Sequence, residues 1–295
     1  MTKVSVIIPT YNRSHMVTRA ASSVLFQTFK DFEVIVVDDG STDDTLARLA
    51  PFGRHIVLLR HATNLGVSAA RNTGVRAARA SLIAFLDSDD YWLPGKLAAQ
   101  VEFFKQRPNA VACQTEEIWI RRGRRVNPRN KHLKPSGDIF LPSLKLCLVS
   151  PSAVMVKASL LHDIGLFDEA LPACEDYDLW LRISCQYPIE RLDKYLVVKE
   201  GGHADQLSLR YSGMDRFRIK AMLKLLETGR LTDRQEEATL KELSFKCRIY
   251  GEGCLRRDKI KEGNNYLALS EKAKKKTFRD PGEKAESILL EEPAR

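Results

Sequence analysis

Unbroken apolar runs rich in β-branched residues alternate with stretches of helical periodicity through the first ninety positions of the chain. Val4 to Ile8 is such a run, ended by Pro9, and predicts a buried strand. Met16, Val17, Ala20, Ala21, Val24 and Leu25 then recur at helical spacing within Ser14 to Gln27, with Ser14 placed to cap the first turn. The same pattern predicts a strand over Phe32 to Val37, a short helix over Thr42 to Ala50 and a strand over His55 to Leu59. A helix over Val67 to Ala80 and a fourth strand over Leu82 to Leu86 complete this region. Such alternation implies an α/β fold with a parallel, Rossmann-like sheet covered by helices on both faces. Ligands of these sheets gather beyond the carboxyl ends of the strands.

Beyond residue 93 the pattern loosens. Pro94 to Gln106 predicts a helix, Ala110 to Ile120 a strand, Ala153 to Val156 another strand, and Asp176 to Cys185 a helix. Residues 121–134, RRGRRVNPRNKHLK, hold seven Arg or Lys and no acid. From Tyr211 onward the periodicity is helical and polar, over Met214 to Leu226, Asp233 to Tyr250 and Asn264 to Lys276. Residues 1–210 therefore form the working domain, and 211–295 a C-terminal helical appendage.

Composition narrows the classes. The 295 residues are 44% apolar and 29% charged, enough for a sizeable core. A formal charge of +9 favours anionic partners. The six cysteines, at 113, 147, 174, 185, 247 and 254, lack the paired short spacings of zinc sites and read as reduced thiols. The amino terminus lacks the pattern of a signal peptide, and no apolar run approaches the roughly 20 residues of a spanning helix. A cytoplasmic protein is expected, attached to a membrane only peripherally if at all.

Three polar loops fall where the sheet's ligand edge is expected: Pro9-Thr10-Tyr11-Asn12, Asp38-Asp39-Gly40-Ser41, and Asp87-Ser88-Asp89-Asp90. Each can serve as a turn or helix cap. An Asp-Ser-Asp at a strand tip can also bind a ribose with one carboxylate and a hard divalent cation with the other. Mg²⁺ or Mn²⁺ held by one or two carboxylates keeps positions open for phosphate oxygens. A further acidic group, CEDYDLWLR at 174–182, falls at a helix start, where negative charge is favoured. It reads either as a charge-stabilised terminus or as a general base, Asp176, on a rigid element with Trp180 packed behind it.

VSVIIPTYNR, VVDDGSTDDT, NLGVSAARNTG, FLDSDDYW and CEDYDLWLR follow one another as they do in the inverting family 2 glycosyltransferases, which this chain resembles over about residues 3–210. The resemblance implies a GT-A fold with a nucleotide-sugar half over about 1–110 and an acceptor half over about 111–210. It implies transfer of a sugar from a nucleotide diphosphate sugar, UDP-linked in the favoured case, with Mn²⁺ or Mg²⁺. The acceptor would be a glycan or lipid-linked hydroxyl in cell-surface polysaccharide or glycolipid assembly. Pro9, Thr10, Tyr11 and Asn12 would line the base. Asp39 would bind the uracil ring with Asp38 beside it, and Gly66 and Arg71 would lie near base and phosphates. In the Asp87-Ser88-Asp89 element Asp87 would face the ribose, Ser88 would belong to the nucleotide site, Asp89 would hold the metal with His203 as a further metal or diphosphate contact, and Asp176 would be the base. Two readings compete: a nucleotidyltransferase that makes sugar nucleotides, for which PTYNRSHM lacks the expected glycine-rich loop, and an RNA- or lipid-binding module using 121–134. No nucleic acid partner is expected for the enzyme.

Overall fold

The computed structural model describes residues 2–127, 132–202, 211 and 213–277. One nine-stranded mixed sheet organises them. Its first half holds β1 (Val4–Thr10), β2 (Phe32–Asp38), β3 (Val57–Arg60) and β4 (Leu82–Phe85), all parallel, in the order β3-β2-β1-β4. The order reverses at β1, because β2 lies on one side of it and β4 on the other. That switch leaves a crevice beyond the strands' carboxyl ends.

Side chains of β1 alternate between the two faces, as a strand requires. Val4, Val6 and Ile8 pack with Val17, Ala20, Ala21 and Val24 of α1 (Ser14–Leu25), whereas Ile7 faces α3 (Val67–Ala77). The α3 contact explains Gly74: a Cβ there would meet Ile7 Cγ2 at 2.4 Å, so only glycine lets the helix lie this close. Ser14 does not cap α1. It is the first helical residue, Arg13 precedes it, and no side-chain cap bond forms. The helix foreseen at 42–50 is shorter: α2 spans Thr45–Leu49 and runs into a 3₁₀ turn at Ala50–His55.

The second half of the sheet is mostly antiparallel. β8 (Val154–Lys157) runs antiparallel to β4 and to β6 (Ala112–Arg121), and β9 (Glu190–Gly201) runs parallel to β6 and antiparallel to the short β5 (Tyr91–Trp92). β7 (Arg124–Val126) folds back on β6 as a hairpin. The basic stretch is therefore in part ordered strand rather than a free loop. Its last lysine, Lys134, is buried, and its ammonium sits 3.1 Å from the Glu117 carboxylate. Burial raises the Glu117 carboxyl, but Lys134, Lys199 and its hydrogen bonds together hold the group down at about 2. Lys134 offers no surface charge to RNA or lipid, and residues 128–131 lie outside the described residues.

Interspersed along the chain among the strands of the second half are α4 (Lys96–Gln106), α5 (Phe140–Lys145), α6 (Ala158–Ile164) and α7 (Glu175–Ser184). One side of α7, Leu179, Trp180 and Ile183, packs toward the sheet core. Its other side, Tyr177 and Leu181, joins the cluster of the C-terminal helices α8 (Asp215–Glu227), α9 (Asp233–Leu255) and α10 (Ile260–Thr277). Each large apolar side chain buried in this way contributes about 1.5–3 kcal/mol. α7 is thus clamped on two sides, and its first turn is held rigidly.

Candidate functional site

The loops after β1 and β2 are stitched together by side chains bonding to backbone. Asn12 adopts a left-handed conformation, φ +51°, which asparagine tolerates better than most residues. Its Oδ1 accepts from the backbone N–H of Thr42 at 2.8 Å and of Asp43 at 3.3 Å, and its own N–H donates to Ser41 Oγ at 2.9 Å. Asp38, fully buried, accepts from Ser41 N–H at 3.2 Å. Asp39 accepts from Leu65 N–H at 2.9 Å, Gly66 N–H at 2.8 Å and His61 Nδ1 at 2.7 Å. The loop at 61–66 is thereby folded against the tip of β2. Gly66 has φ +95°, and an added Cβ would meet no described atom within 4 Å, so backbone conformation rather than crowding requires glycine here. Pro9 and Thr10 are buried, while Tyr11 is half-buried at the edge of the crevice.

Beyond β4, the carboxylates of Asp87, Asp89 and Asp90 lie within 4.8 Å of one another. Three cations of the chain meet them. Arg71 donates to Asp87 Oδ1 at 2.7 Å, and Arg13 to Asp89 Oδ2 at 2.8 Å. Lys199, on β9, donates to Ser150 Oγ at 3.2 Å within the field of all three carboxylates and of Glu117. Burial alone would lower the Lys199 ammonium, but these acids raise it above its ordinary range. Burial raises the Asp87 carboxyl, yet Arg71, with Lys199 and Arg13 adding to it, leaves it low. Asp89 is raised, by burial and then by Asp87, with Arg13 opposing. Asp90 is the innermost: it accepts from Ser152 Oγ at 2.6 Å and Glu200 N–H at 3.2 Å and anchors the loop. Ser152 also accepts from Asp87 N–H at 3.1 Å, so one hydroxyl fixes both ends of the turn. Ser88 is buried. A cavity of about 210 Å³ opens on Asp89, lined also by Met16, Arg122, Glu200 and Gly201.

An all-oxygen donor set suits a hard divalent cation. Asp87 is engaged by Arg71, Asp89 by Arg13 and Asp90 by Ser152, and of the three Asp89 is the one that lines this cavity. Such a set fits a cation that draws most of its ligands from a phosphate-bearing partner.

The helix-start pair joins this site through Arg71. The residue before α7, Cys174, is left-handed at φ +61°, which turns the chain into the helix. Arg71 Nη1 donates to Glu175 Oε1 at 2.7 Å while its Nη2 holds Asp87, and the guanidinium lies 5.1 Å from the Phe167 ring centre. Burial raises the Glu175 carboxyl, with Asp176 adding to that and Arg71 opposing. Asp176, half-buried, accepts from Tyr177 N–H at 2.7 Å, and the Cys147 thiol reaches it at 3.5 Å. Burial and then Asp176 push the Cys147 thiol well above its usual range, so it stays a protonated donor.

The structure therefore brings together Asp38, Asp39, Gly66, Arg71, Asp87, Ser88, Asp89 and Asp176 along one edge of the sheet, with Pro9 to Asn12 beside them. Arg71 differs from its sequence-based expectation in one respect: both amino groups hold protein carboxylates, so it is a brace between two acidic groups. His203 lies outside the described residues. Sequence reasoning missed Arg13, His61, Cys147, Ser152, Glu175 and Lys199. Arg13 and Glu175 lie within the quoted motifs VSVIIPTYNR and CEDYDLWLR and were within reach; the others reach the site only through tertiary pairing.

The model of the family described as glycosyl transferase family 2 matches residues 5–165. An Escherichia coli relative, UDP-Glc:alpha-D-GlcNAc-diphosphoundecaprenol beta-1,3-glucosyltransferase WfgD, is 34% identical over 184 residues, covering 61% of this chain and 69% of the relative. An uncharacterized glycosyltransferase of Rickettsia felis is 36% identical over 203 residues, covering 66% of this chain; the matched part is only 32% of that relative's length. Among solved structures, Staphylococcus aureus TarS 1–349 in complex with UDP-GlcNAc superposes with a TM-score of 0.70 at 20% identity, over 94% of this chain and 93% of that 1–349 chain. Mannosyltransferase PcManGT from Pyrobaculum calidifontis, in complex with GDP-Man and Mn²⁺, gives 0.62 at 18% identity, over 93% and 83%.

Proposed function

Since this chain belongs to glycosyl transferase family 2 and has the GT-A fold, we propose that it is an inverting transferase acting on a nucleotide diphosphate sugar, UDP-linked in the favoured case. The acceptor is a hydroxyl of a lipid-linked or other glycan in cell-surface polysaccharide or glycolipid assembly. The observation that carries this reading is the Arg71 brace, 2.7 Å from both Asp87 and Glu175, because it unites the strand-tip acids and the helix-start acids in one site. WfgD, by its name, uses UDP-Glc and a diphosphoundecaprenol-linked acceptor, and TarS was solved with UDP-GlcNAc, which supports both the donor and the acceptor class.

In this reading Asp39 and the Pro9 to Asn12 loop take the base, with Asp38 and Gly66 shaping its seat. Asp87 faces the ribose, Ser88 belongs to the nucleotide site, and Asp89 holds Mn²⁺ or Mg²⁺. When bound, such a cation offsets the negative charge that grows on the departing diphosphate. Asp176 accepts the proton of the acceptor hydroxyl as that oxygen bonds to the anomeric carbon. The carbon–oxygen bond to the diphosphate breaks, its electron pair leaves with the nucleoside diphosphate, and the configuration inverts. The Tyr177 N–H and the Cys147 thiol hold Asp176 in place, both as hydrogen-bond donors. Among the described residues no helix is long and apolar enough to cross a membrane.

A panel of UDP, GDP and dTDP sugars with Mn²⁺, read first by thermal shift and then by released nucleotide, tests this. Nucleoside diphosphate release is the expected result. Release of pyrophosphate from a nucleoside triphosphate and sugar phosphate would overturn it in favour of a nucleotidyltransferase.

A further inference from the structure

Asp89 faces two ways. It lines the cavity beside the strand tips, and its Oδ2 accepts from Arg13 Nη1 at 2.8 Å, with both side chains only 16–17% exposed. This is a charge-assisted hydrogen bond in a largely dehydrated place, where such bonds are strongest. Around it, the acidic charge of the cluster is matched by Arg13, Arg71 and Lys199. A bare divalent cation arriving here finds little uncompensated negative charge. It must also break the Arg13 bond and settle near Lys199, which repels it. A cation that arrives already bound to a diphosphate brings its own anion, and that anion gives the displaced guanidinium a new partner.

From this geometry we infer that Arg13 is a gate on the cation site: it occupies Asp89 in the absence of donor and yields it to a cation accompanied by an anionic diphosphate. The inference rests on the proposed metal–nucleotide chemistry and adds an order to it. Metal alone binds poorly, and metal with nucleotide binds well. Arg13 lies in the PTYNR stretch, whose preceding residues are assigned to the base. Its own task is to keep the site closed to free metal and to move toward phosphate when the donor enters.

The test uses nucleotide-free protein and Mn²⁺ alone, following the free-ion signal by electron paramagnetic resonance. Arg13→Gln is expected to bind bare Mn²⁺ at least about tenfold more tightly than wild type, as loss of one charged competitor for Asp89 implies. Arg13→Lys, which keeps the charge, should remain close to wild type. Adding Asp89→Asn to Arg13→Gln should erase the gain, and metal-free UDP should bind Arg13→Gln more weakly than wild type. Unchanged Mn²⁺ affinity in an Arg13→Gln protein with a wild-type melting curve would overturn the gate, as would a gain that survives Asp89→Asn. Wild-type protein that binds Mn²⁺ plus UDP in the same assay while these results fail leaves the metal–nucleotide reading standing and removes only the gate. Wild-type protein that binds neither removes both.

Discussion

The two acidic groups of the site are treated differently by the fold. At the tip of β4, Asp87, Asp89 and Asp90 are crowded within 4.8 Å and surrounded by Arg13, Arg71 and Lys199. At the start of α7, Glu175 takes an arginine while Asp176 receives only a backbone N–H and a thiol in the contacts that hold it. Like charges this close are stable only when compensated, so the first group is a balanced cluster whose charges can be exchanged for others. Among the described residues no arginine or lysine forms an ion pair with Asp176. One arrangement suits a cation and its anion, the other a proton.

The sharpest way to break this contrast is at Asp176. Asp176→Asn should lower transfer by about 10²–10⁴-fold, the usual worth of a general base, while leaving nucleotide binding intact. Steady-state turnover with the donor selected by the panel, together with calorimetric UDP binding, checks both halves. Turnover near wild type would end the assignment. Arg71→Ala strikes the link between the groups and strands two largely buried carboxylates. Loss of a buried ion-pair partner typically costs about 3–5 kcal/mol, so urea unfolding should show a shift of that order. Unchanged unfolding would mean that the brace carries no weight.

A smaller effect comes from contrasting two buried lysines. Lys199 sits among acids; Lys96 is fully buried over the Trp92 ring, 3.8 Å from its centre, and its ammonium bonds the neutral Gln100 amide at 2.6 Å. Burial pushes Lys96 down to about 7 from its usual 10.5, with Cys113 opposing slightly. Its folded-state pKa is lowered, so the unfolded chain binds more protons between those values and wild-type stability rises with pH across the window. Lys96→Met should therefore stabilise the protein by about 1–3 kcal/mol at pH 6, an advantage that shrinks as pH climbs toward 10. Thermal melts at several pH values check this, and a pH-independent difference would contradict it.

The parts of this site that could be read from sequence are those whose signal is local. β1, β2 and β4 are mostly apolar runs, and the acids of two of them follow directly at the tips, so the sheet's ligand edge was legible. β9 was not. ERLDKYLVVKEG is largely half-exposed, pairs with β6 across a bulge, and shows neither an apolar run nor clean alternation. With β9 hidden, Lys199 had no reason to be placed beside Asp87. The Arg71–Glu175 bond spans 104 positions, and Arg13–Asp89 spans 76. No periodicity reports pairings of that length, which is why the acids and Arg71 were visible while the ion pairs that balance the acids were not. The basic run at 121–134 misled for a related reason: composition counted Lys134 as surface charge, whereas burial gives it to Glu117.

The division of labour between the two groups can be measured directly by titrating UDP, with and without Mn²⁺, into wild type, Asp89→Asn and Asp176→Asn by calorimetry. Mn²⁺ should strengthen UDP binding to wild type and to Asp176→Asn alike, and should fail to strengthen it for Asp89→Asn. A metal effect that persists without the Asp89 carboxylate, or disappears with Asp176→Asn, would contradict the assignment of cation to the strand tip and proton to the helix start.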